Sequence, residues 1–319
     1  MKYLVVIIMF LAGQVFAGED ARAWLDKMSD ALKSLDYDGT FVYHHGGMLE
    51  AMRIIHRVDD GGQRERLVSL TGSAREVLRD GRIVTCILPD NKSVTVGQGR
   101  PPQPFPVVPE NLGKISRYYQ LEDEGDDRMV GYKARVIAVK PKDKFRYGYR
   151  FWIENESGML LKSDLTGVDG TPIEQVMFTS LAVGIDIPAA HLEPSLTGDE
   201  YTWYRQSDIG RTPDTPVSES AWVVGRLPNG FMLTNYQRSR MHEQAGDAEH
   251  MVFSDGMATV SVYVEKSVTG ATAFTGLSSM GAMNAYGALI DGFQVTVVGE
   301  VPPATVEMMA TSVTRTNPD

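Results

Sequence analysis

The stretch GTFVYHHGGMLEAMRIIHRV, residues 39–58, sets the pattern on which the chain is built. Its first seven residues are rich in β-branched and aromatic types, and Gly46-Gly47 then interrupts the run. From residue 52 to 58 two sets of side chains alternate along the chain. One set is mainly apolar and consists of Met52, Ile54, His56 and Val58; the other consists of Arg53, Ile55 and Arg57. Two extended runs joined through glycines are typical of a β-hairpin with one apolar face.

This hairpin opens a longer series of strand-like runs. Turn-forming residues follow it at 59–62, and Asp80-Gly81 is a strong two-residue hairpin turn. Rapid alternation with a turn about every ten residues predicts a large antiparallel sheet with few helices. The further runs predicted as strands lie at 63–70, 74–79, 82–88, 129–139, 145–153, 159–165 and 173–183.

The clearest helix precedes the hairpin, at residues 19–35. Its apolar residues recur three and four positions apart and form one stripe, which predicts an amphipathic helix. Such a helix requires an apolar sheet face to cover, and the hairpin supplies one. The stripe consists of Ala21, Trp24, Leu25, Met28, Ala31, Leu32 and Leu35.

The first 17 residues predict export. Lys2 precedes an unbroken apolar run at 3–11, and Val15 and Ala17 place small residues at the −3 and −1 positions of a cleavage site. The apolar run is too short for a transmembrane anchor. Gly18, not a cysteine, would follow the cut, which argues against a lipid-anchored lipoprotein. We expect a soluble exported protein, located in the periplasm of a Gram-negative-type cell.

Composition excludes several classes of protein. Cys86 is the only cysteine, so no intramolecular disulfide forms and stability depends on the core. A formal charge of −10 argues against nucleic acid as a partner. The chain has no zinc-protease, serine-hydrolase, phosphate-loop or dinucleotide motif. We therefore expect neither an enzyme nor a cofactor.

Two groups of side chains invite a metal interpretation. His44 and His45 point to opposite faces of one strand, so they do not share a metal. Five acidic residues lie between 122 and 127. Their spacing does not fit a calcium loop, and we interpret the run as a solvated hairpin tip around Gly125. We expect no metal site.

Prolines and glycines divide the remaining chain. Five prolines at 97–110 predict a loop, because proline lacks the amide donor that a central strand requires. Residues 267–288, rich in glycine, serine and methionine, predict loose structure. We expect a signal peptide at 1–17, a first domain at 18–193, a linker at 194–216 and a smaller second domain at 217–319.

An apolar stripe in the first domain has two interpretations. Phe41 and Tyr43 share one strand face, and Met52 and Ile54 on the partner strand are placed to face them. The stripe forms either a solid core under the helix or the lining of a cavity, enclosed by a curved sheet, that admits acyl chains. The sequence leaves both open.

Several blocks, in one order along nearly the whole mature chain, resemble the RseB/MucB family. They are GTFVY at 39–43, RIIHRV at 53–58, ERLVSLTG at 65–72, REV at 75–77, KFRYGYRFWIENESGMLLKSDL at 144–165, LPNGF at 227–231, HMVFSDGMATVSVYVE at 250–265 and VTVVGEVPPATV at 295–306.

The resemblance implies an α+β fold, in which a large curved antiparallel half-barrel covered by helices, similar to LolA and LolB, precedes a smaller α+β domain. It implies a regulator that binds the periplasmic domain of a membrane-spanning anti-sigma factor (RseA or MucA) and shields it from proteolysis. An extracytoplasmic-function sigma factor then stays restrained until lipid or lipopolysaccharide releases the regulator. A homodimer is left open. A periplasmic lipid or lipoprotein carrier is the alternative, although it leaves the second domain unexplained.

Overall fold

The structure is a computed structural model that describes residues 13–98, 105, 115–194, 200–205, 220–240, 247–267 and 273–316. Most of the predicted signal peptide lies outside these residues, as do most of the proline-rich loop and much of the predicted linker. The described chain forms two sheet domains, which we call the N-terminal domain (13–205) and the C-terminal domain (220–316).

The N-terminal domain consists of one helix, twelve strands and two short 3₁₀ turns, Pro89–Asn91 and Ala189–Leu192. Helix α1 spans Gly13–Ser34. The strands are β1 Tyr37–His45, β2 Met48–Asp59, β3 Gly62–Ser69, β4 Glu76–Asp80, β5 Ile83–Leu88, β6 Ser93–Gln98, β7 Tyr119–Met129, β8 Tyr132–Pro141, β9 Gly148–Glu154, β10 Leu160–Thr166, β11 Pro172–Val183 and β12 Thr202–Arg205.

All twelve strands belong to one curved sheet, in the order β12-β6-β5-β4-β3-β2-β1-β11-β10-β9-β8-β7. Its pairs are antiparallel except that of β12 with β6. The predicted first hairpin is present as β1 and β2, and Phe41 lies opposite Met52 in its register. Because β1 also pairs with β11, the two halves of the meander meet at the centre of the sheet.

Helix α1 covers the apolar face of this sheet, but it packs mainly on β7, β8 and β10 and not on the β1–β2 hairpin that the sequence predicted as its support. Ala21, Leu25 and Met28 are fully buried, and they join the core formed by the strands. The helix starts six residues before the predicted position and ends one residue earlier. At Gly39, a Cβ atom would lie 2.6 Å from the Phe178 ring, so glycine allows the close packing of β1 on β11.

The acidic run at 122–127 lies in a strand, β7, and not at a hairpin tip, so that prediction is wrong. Basic side chains from neighbouring strands neutralise it: Arg135 bonds Asp123 at 2.6 Å and Asp126 at 2.8 Å. The reversal comes later, where Val130 and Gly131 both have positive φ.

The aromatic run 145–151 does not form a single strand. Strand β9 begins only at Gly148, and Tyr149 and Phe151 stack on one of its faces with ring centroids 5.6 Å apart. Residues 142–147 form a loop that leaves the sheet and contacts the C-terminal domain. We describe these contacts below.

The C-terminal domain contains a six-stranded antiparallel sheet, a two-stranded ribbon and helix α2, Pro303–Ala310. Buried residues of the sheet and helix, among them Val262, Val297 and Val306, form a separate core. The sheet order is β14-β15-β16-β19-β18-β17, and β13 pairs with β20. The strands are β13 Trp222–Val224, β14 Met232–Arg240, β15 Asp247–Ser254, β16 Thr259–Lys266, β17 Gly276–Met280, β18 Met283–Ile290, β19 Phe293–Glu300 and β20 Val313–Arg315.

Two stretches are more regular than their composition predicts. Within 267–288, the described residues include most of a hairpin, β17 and β18. Within the predicted linker 194–216, β12 extends the N-terminal sheet, and the amide of Thr202 donates to the carbonyl of Lys92 at 2.8 Å. The α+β fold with a large curved sheet and a smaller second sheet is confirmed. In the part of the chain that the structure describes, no helix combines the length and apolarity needed to cross a bilayer.

Candidate functional site

The four residues of the predicted lipid stripe lie on the neighbouring strands β1 and β2. Phe41, Met52 and Ile54 are buried in the main core, whereas Tyr43 is half-buried beside it. The structure therefore brings the four side chains to one side of the hairpin, and three of them pack against protein atoms.

Phe105, which lies within the proline-rich stretch 97–110, contributes to this packing. Its ring lies 5.4 Å from that of Phe41 and 5.4 Å from that of Phe178, measured between centroids. Only 8% of its surface is exposed. The loop thus inserts an aromatic side chain into the core of the N-terminal domain, which its proline content alone does not predict.

A pocket of about 600 Å³ opens at one end of the N-terminal sheet. None of the four stripe residues lines it. The lining combines the residue after α1 with two turns and the end of β11: Leu35, Gly131, Tyr132, Lys133, Glu154, Asn155, Glu156, Ser157, Leu181, Val183 and Gly184.

The most extensive polar site is the seam, which we define as the surface where the 142–147 loop, Tyr119 and Glu174 meet the C-terminal domain. Three consecutive residues of the loop bond to three different elements. The carbonyl oxygen of Phe145 accepts from Thr305 of α2 at 2.7 Å. The hydroxyl of Tyr147 accepts from the amide nitrogen of Asn284 at 3.1 Å.

Arg146 lies between these two residues and places a buried positive charge in the seam. Its side chain is 0% exposed, and Nη1 donates to Oδ2 of Asp255 at 2.5 Å. Nη2 donates to the carbonyl oxygen of Asn229 at 2.7 Å. The aromatic rings of Tyr118, Tyr119 and Phe231 surround the guanidinium, with centroids 5.0–5.4 Å from its central carbon. Charge pairing and cation–π contact together offset the cost of burying this cation.

Both carboxylate oxygens of Asp255 accept hydrogen bonds. Its Oδ1 accepts from the backbone amides of Met257 and Ala258, at 2.9 and 2.8 Å, and so fixes the turn between β15 and β16. Its Oδ2 also accepts from the hydroxyl of Tyr119 at 3.0 Å. Burial and the nearby carboxylate of Asp255 raise the pKa of Tyr119 well above its ordinary value, so this phenol stays a donor.

A second polar contact lies further along the seam. Oε1 of Glu174 accepts from the backbone amide of Ala282 at 3.0 Å, and Oε2 accepts from the hydroxyl of Tyr43. Burial, together with the hydrogen bond to Glu174 and the negative charge of that carboxylate, raises the pKa of Tyr43. A residue of the predicted lipid stripe is thus linked through one carboxylate to the C-terminal domain.

The polar contacts of the seam are suited to binding the two domains together and fixing their relative orientation. Within the described ranges, no group of three or more histidine, cysteine or carboxylate side chains is placed to hold a metal ion. In the seam, Arg146 pairs with Asp255 and with Asp143, whereas Glu174 accepts from the hydroxyl of Tyr43 and the amide of Ala282. The sequence gives only weak signals for the residues of the seam. Arg146 is a single arginine among the aromatic residues at 145–149, and Asp255-Gly256 is a pair typical of a hairpin turn that indicates no partner for the carboxylate.

Fold and seam together define a two-domain protein in which a large curved antiparallel sheet is joined to a smaller sheet domain through paired polar side chains. Two sequence profiles match it in chain order. The MucB/RseB N-terminal domain matches residues 20–196, and the MucB/RseB C-terminal domain matches residues 216–314. The chain belongs to the MucB/RseB family.

Relatives and solved structures agree. The sigma factor AlgU regulatory protein MucB of Pseudomonas aeruginosa is 33% identical over 300 residues, which cover 92% of this chain and 90% of the relative. The structure of the Pseudomonas aeruginosa MucA/MucB complex is similar with a TM-score of 0.73 and 31% identity, over 94% of this chain and 100% of that one. A further crystal structure of MucB has a TM-score of 0.63 and 29% identity, over 93% of this chain and 98% of that one.

Proposed function

We propose that this protein is a periplasmic regulator that binds the periplasmic domain of a membrane-spanning anti-sigma factor. Bound there, it shields the anti-sigma factor from proteolysis and so restrains an extracytoplasmic-function sigma factor. The observation that carries the proposal is the match of both domains, in order, to a family with a member solved in complex with MucA. The predicted signal peptide supports the periplasmic location.

Regulation here rests on binding and not on catalysis. In the seam, Arg146 of the N-terminal domain pairs with Asp255 of the C-terminal domain, so this ion pair orients the two domains. A surface shared by two oriented domains suits the recognition of a protein segment.

The experiment is a titration of the predicted mature chain, residues 18–319, with the periplasmic segment of a MucA- or RseA-like anti-sigma factor from the same organism. We expect a saturable complex by calorimetry, and slower cleavage of the segment by its protease when the complex is present. An unrelated periplasmic protein, which should not bind the segment, serves as the binding control. Absence of binding, or binding without protection, contradicts the proposal.

A second proposal concerns lipid. The stripe of Phe41, Tyr43, Met52 and Ile54 would receive acyl chains, as the resemblance implies. Because three of these side chains are buried, an acyl chain must displace packed groups such as Phe105 to reach them. Each buried methylene would contribute about 0.8 kcal/mol toward that displacement.

Titration of lipopolysaccharide, or of its lipid fragments, into the preformed complex tests this proposal. Release of the anti-sigma segment is the expected result, and Tyr43→Asp should weaken lipid binding. A thermal melt of the same variant separates loss of binding from loss of fold. Lipid that binds while the complex stays intact contradicts the release step. A lipid or lipoprotein carrier, the alternative, predicts lipid binding without any binding of the segment.

A further inference from the structure

The seam is built mainly from polar contacts. Apart from Tyr147, Leu165, Ala282 and the partly buried Met257, the two large cores of the described chain stay within their own domains. Polar groups find substitute partners in water when such a surface opens, whereas a large apolar surface would lose its burial. The composition of the seam therefore allows the domains to separate while exposing few core side chains, such as Tyr119 and Phe231 beside Arg146.

The same contacts make the closed arrangement specific. Arg146 pairs with Asp143 of its own loop at 3.0 Å, and only in the seam do Asp255 and the carbonyl of Asn229 complete its contacts. Because Asp143 belongs to the same loop, withdrawal of the loop leaves the buried carboxylate of Asp255 without a cation, so partial occupancy of the site is unfavourable. The loop is either seated or withdrawn, and intermediate positions are disfavoured.

We propose that residues 142–147 act as a reversible clasp, with Arg146 at its centre, that holds the two domains in the arrangement able to bind the anti-sigma segment. Withdrawal of the clasp lets the C-terminal domain re-orient and weakens that binding. The effect of the clasp on binding rests on the proposed function, whereas the existence of the clasp does not.

Spin labels on the two domains test the clasp directly. Asp60→Cys in the β2–β3 turn and Glu307→Cys on α2 place labels at exposed positions, in a Cys86→Ser background. We expect one narrow distance distribution for this otherwise unsubstituted chain by double electron–electron resonance. Arg146→Met should broaden or shift it.

Asp255→Asn should act in the same direction, because the amide oxygen keeps the bonds to the β15–β16 turn while the charge is lost. Arg135→Met is the matched control, since Arg135 also pairs with two carboxylates but lies away from the seam. If Arg146→Met fails to fold, Asp255→Asn and Tyr147→Phe, which removes a single hydroxyl, carry the test. Unchanged distances in folded seam variants overturn the clasp.

The binding arm uses the same variants and the anti-sigma segment. We expect Arg146→Met to lower affinity by about 5- to 150-fold, the usual range for coupling between sites, and Arg135→Met to leave it unchanged. Shifted distances with full affinity overturn the regulatory role. If the unsubstituted protein does not bind the segment, the proposed function fails, and the distance measurements still decide whether the clasp exists.

Discussion

His56 donates a hydrogen bond through Nδ1 to the carbonyl oxygen of Leu35 at 2.8 Å, and so ties β2 to the residue after α1. Its ring also stacks on Tyr37, with centroids 4.8 Å apart. Because a carbonyl only accepts, Nδ1 carries the proton, and the buried Nε2 has no partner among the described residues. Burial lowers the pKa of His56 below its ordinary value, and the positive charge of Arg79 acts in the same direction.

Acid should therefore weaken the fold through His56. The unfolded chain takes up the proton first, so the free energy of unfolding falls as the pH drops below about 6.5 and continues to fall until the lowered pKa is passed. His56→Gln keeps an amide donor and removes the titration. Urea unfolding should show the advantage of the wild type over this variant shrinking between about pH 7 and pH 5. An advantage that is independent of pH contradicts this account.

Gly230 should tolerate alanine poorly. Its φ is +92°, and an added Cβ atom would lie 2.3 Å from the ring of Tyr118 across the seam. Gly170, with φ +82° and no atom within 4 Å, is the matched control. Gly170→Ala should cost only backbone strain, about 1–2 kcal/mol, and Gly230→Ala should cost more. Adding Tyr118→Leu should recover part of the difference in chemical denaturation. Equal costs for the two alanines would exclude the steric contact.

Phe105→Ala should destabilise the N-terminal domain although it lies in the proline-rich loop. Loss of a buried phenylalanine costs about 3–5 kcal/mol when a cavity remains. Leu49→Ala is the control, because Leu49 is 64% exposed and its truncation should change stability by no more than about 0.5 kcal/mol. Thermal and urea melts measure both. If acyl chains enter beside Phe41, the same variant should bind lipid more tightly, whereas weaker lipid binding would place the entry elsewhere.

Limited proteolysis tests the predicted domain boundary. Cleavage within 194–216, favoured there by proline and glycine, should give fragments of about 20 and 11 kDa. Because the seam joins the domains independently of the backbone link, the fragments should co-elute in size-exclusion chromatography. Arg146→Met should separate them. Early cuts throughout residues 39–183 would contradict the boundary.

Local patterns predicted the strands because alternation and turn residues are local properties. The first hairpin, its apolar face and helix α1 all follow from residues within 40 positions of each other, whereas the strands that the helix covers, β7, β8 and β10, lie far along the chain. The acidic strand β7 was missed because its charges are neutralised by Arg135, and also by Lys140 and Arg150, on strands whose proximity depends on the register.

The seam could not be predicted for the same reason. Arg146 lies in an aromatic run with period two that continues a strand pattern. What removes it from the strand is a carboxylate 109 positions further along the chain, Asp255. Tertiary contacts of this kind override local preference, and they occur here where the two domains meet.

The position of β12 has a mechanical consequence. The backbone leaves the N-terminal domain from one edge of the sheet, at β12, while the C-terminal domain contacts Tyr119 of β7 at the opposite edge. The second domain is thus joined to the sheet covalently at one edge, and by hydrogen bonds at the opposite edge and at Glu174 of the central strand β11. A change in the curvature of the sheet alters the distances between these attachment points, so the curvature and the hydrogen bonds of the second domain change together.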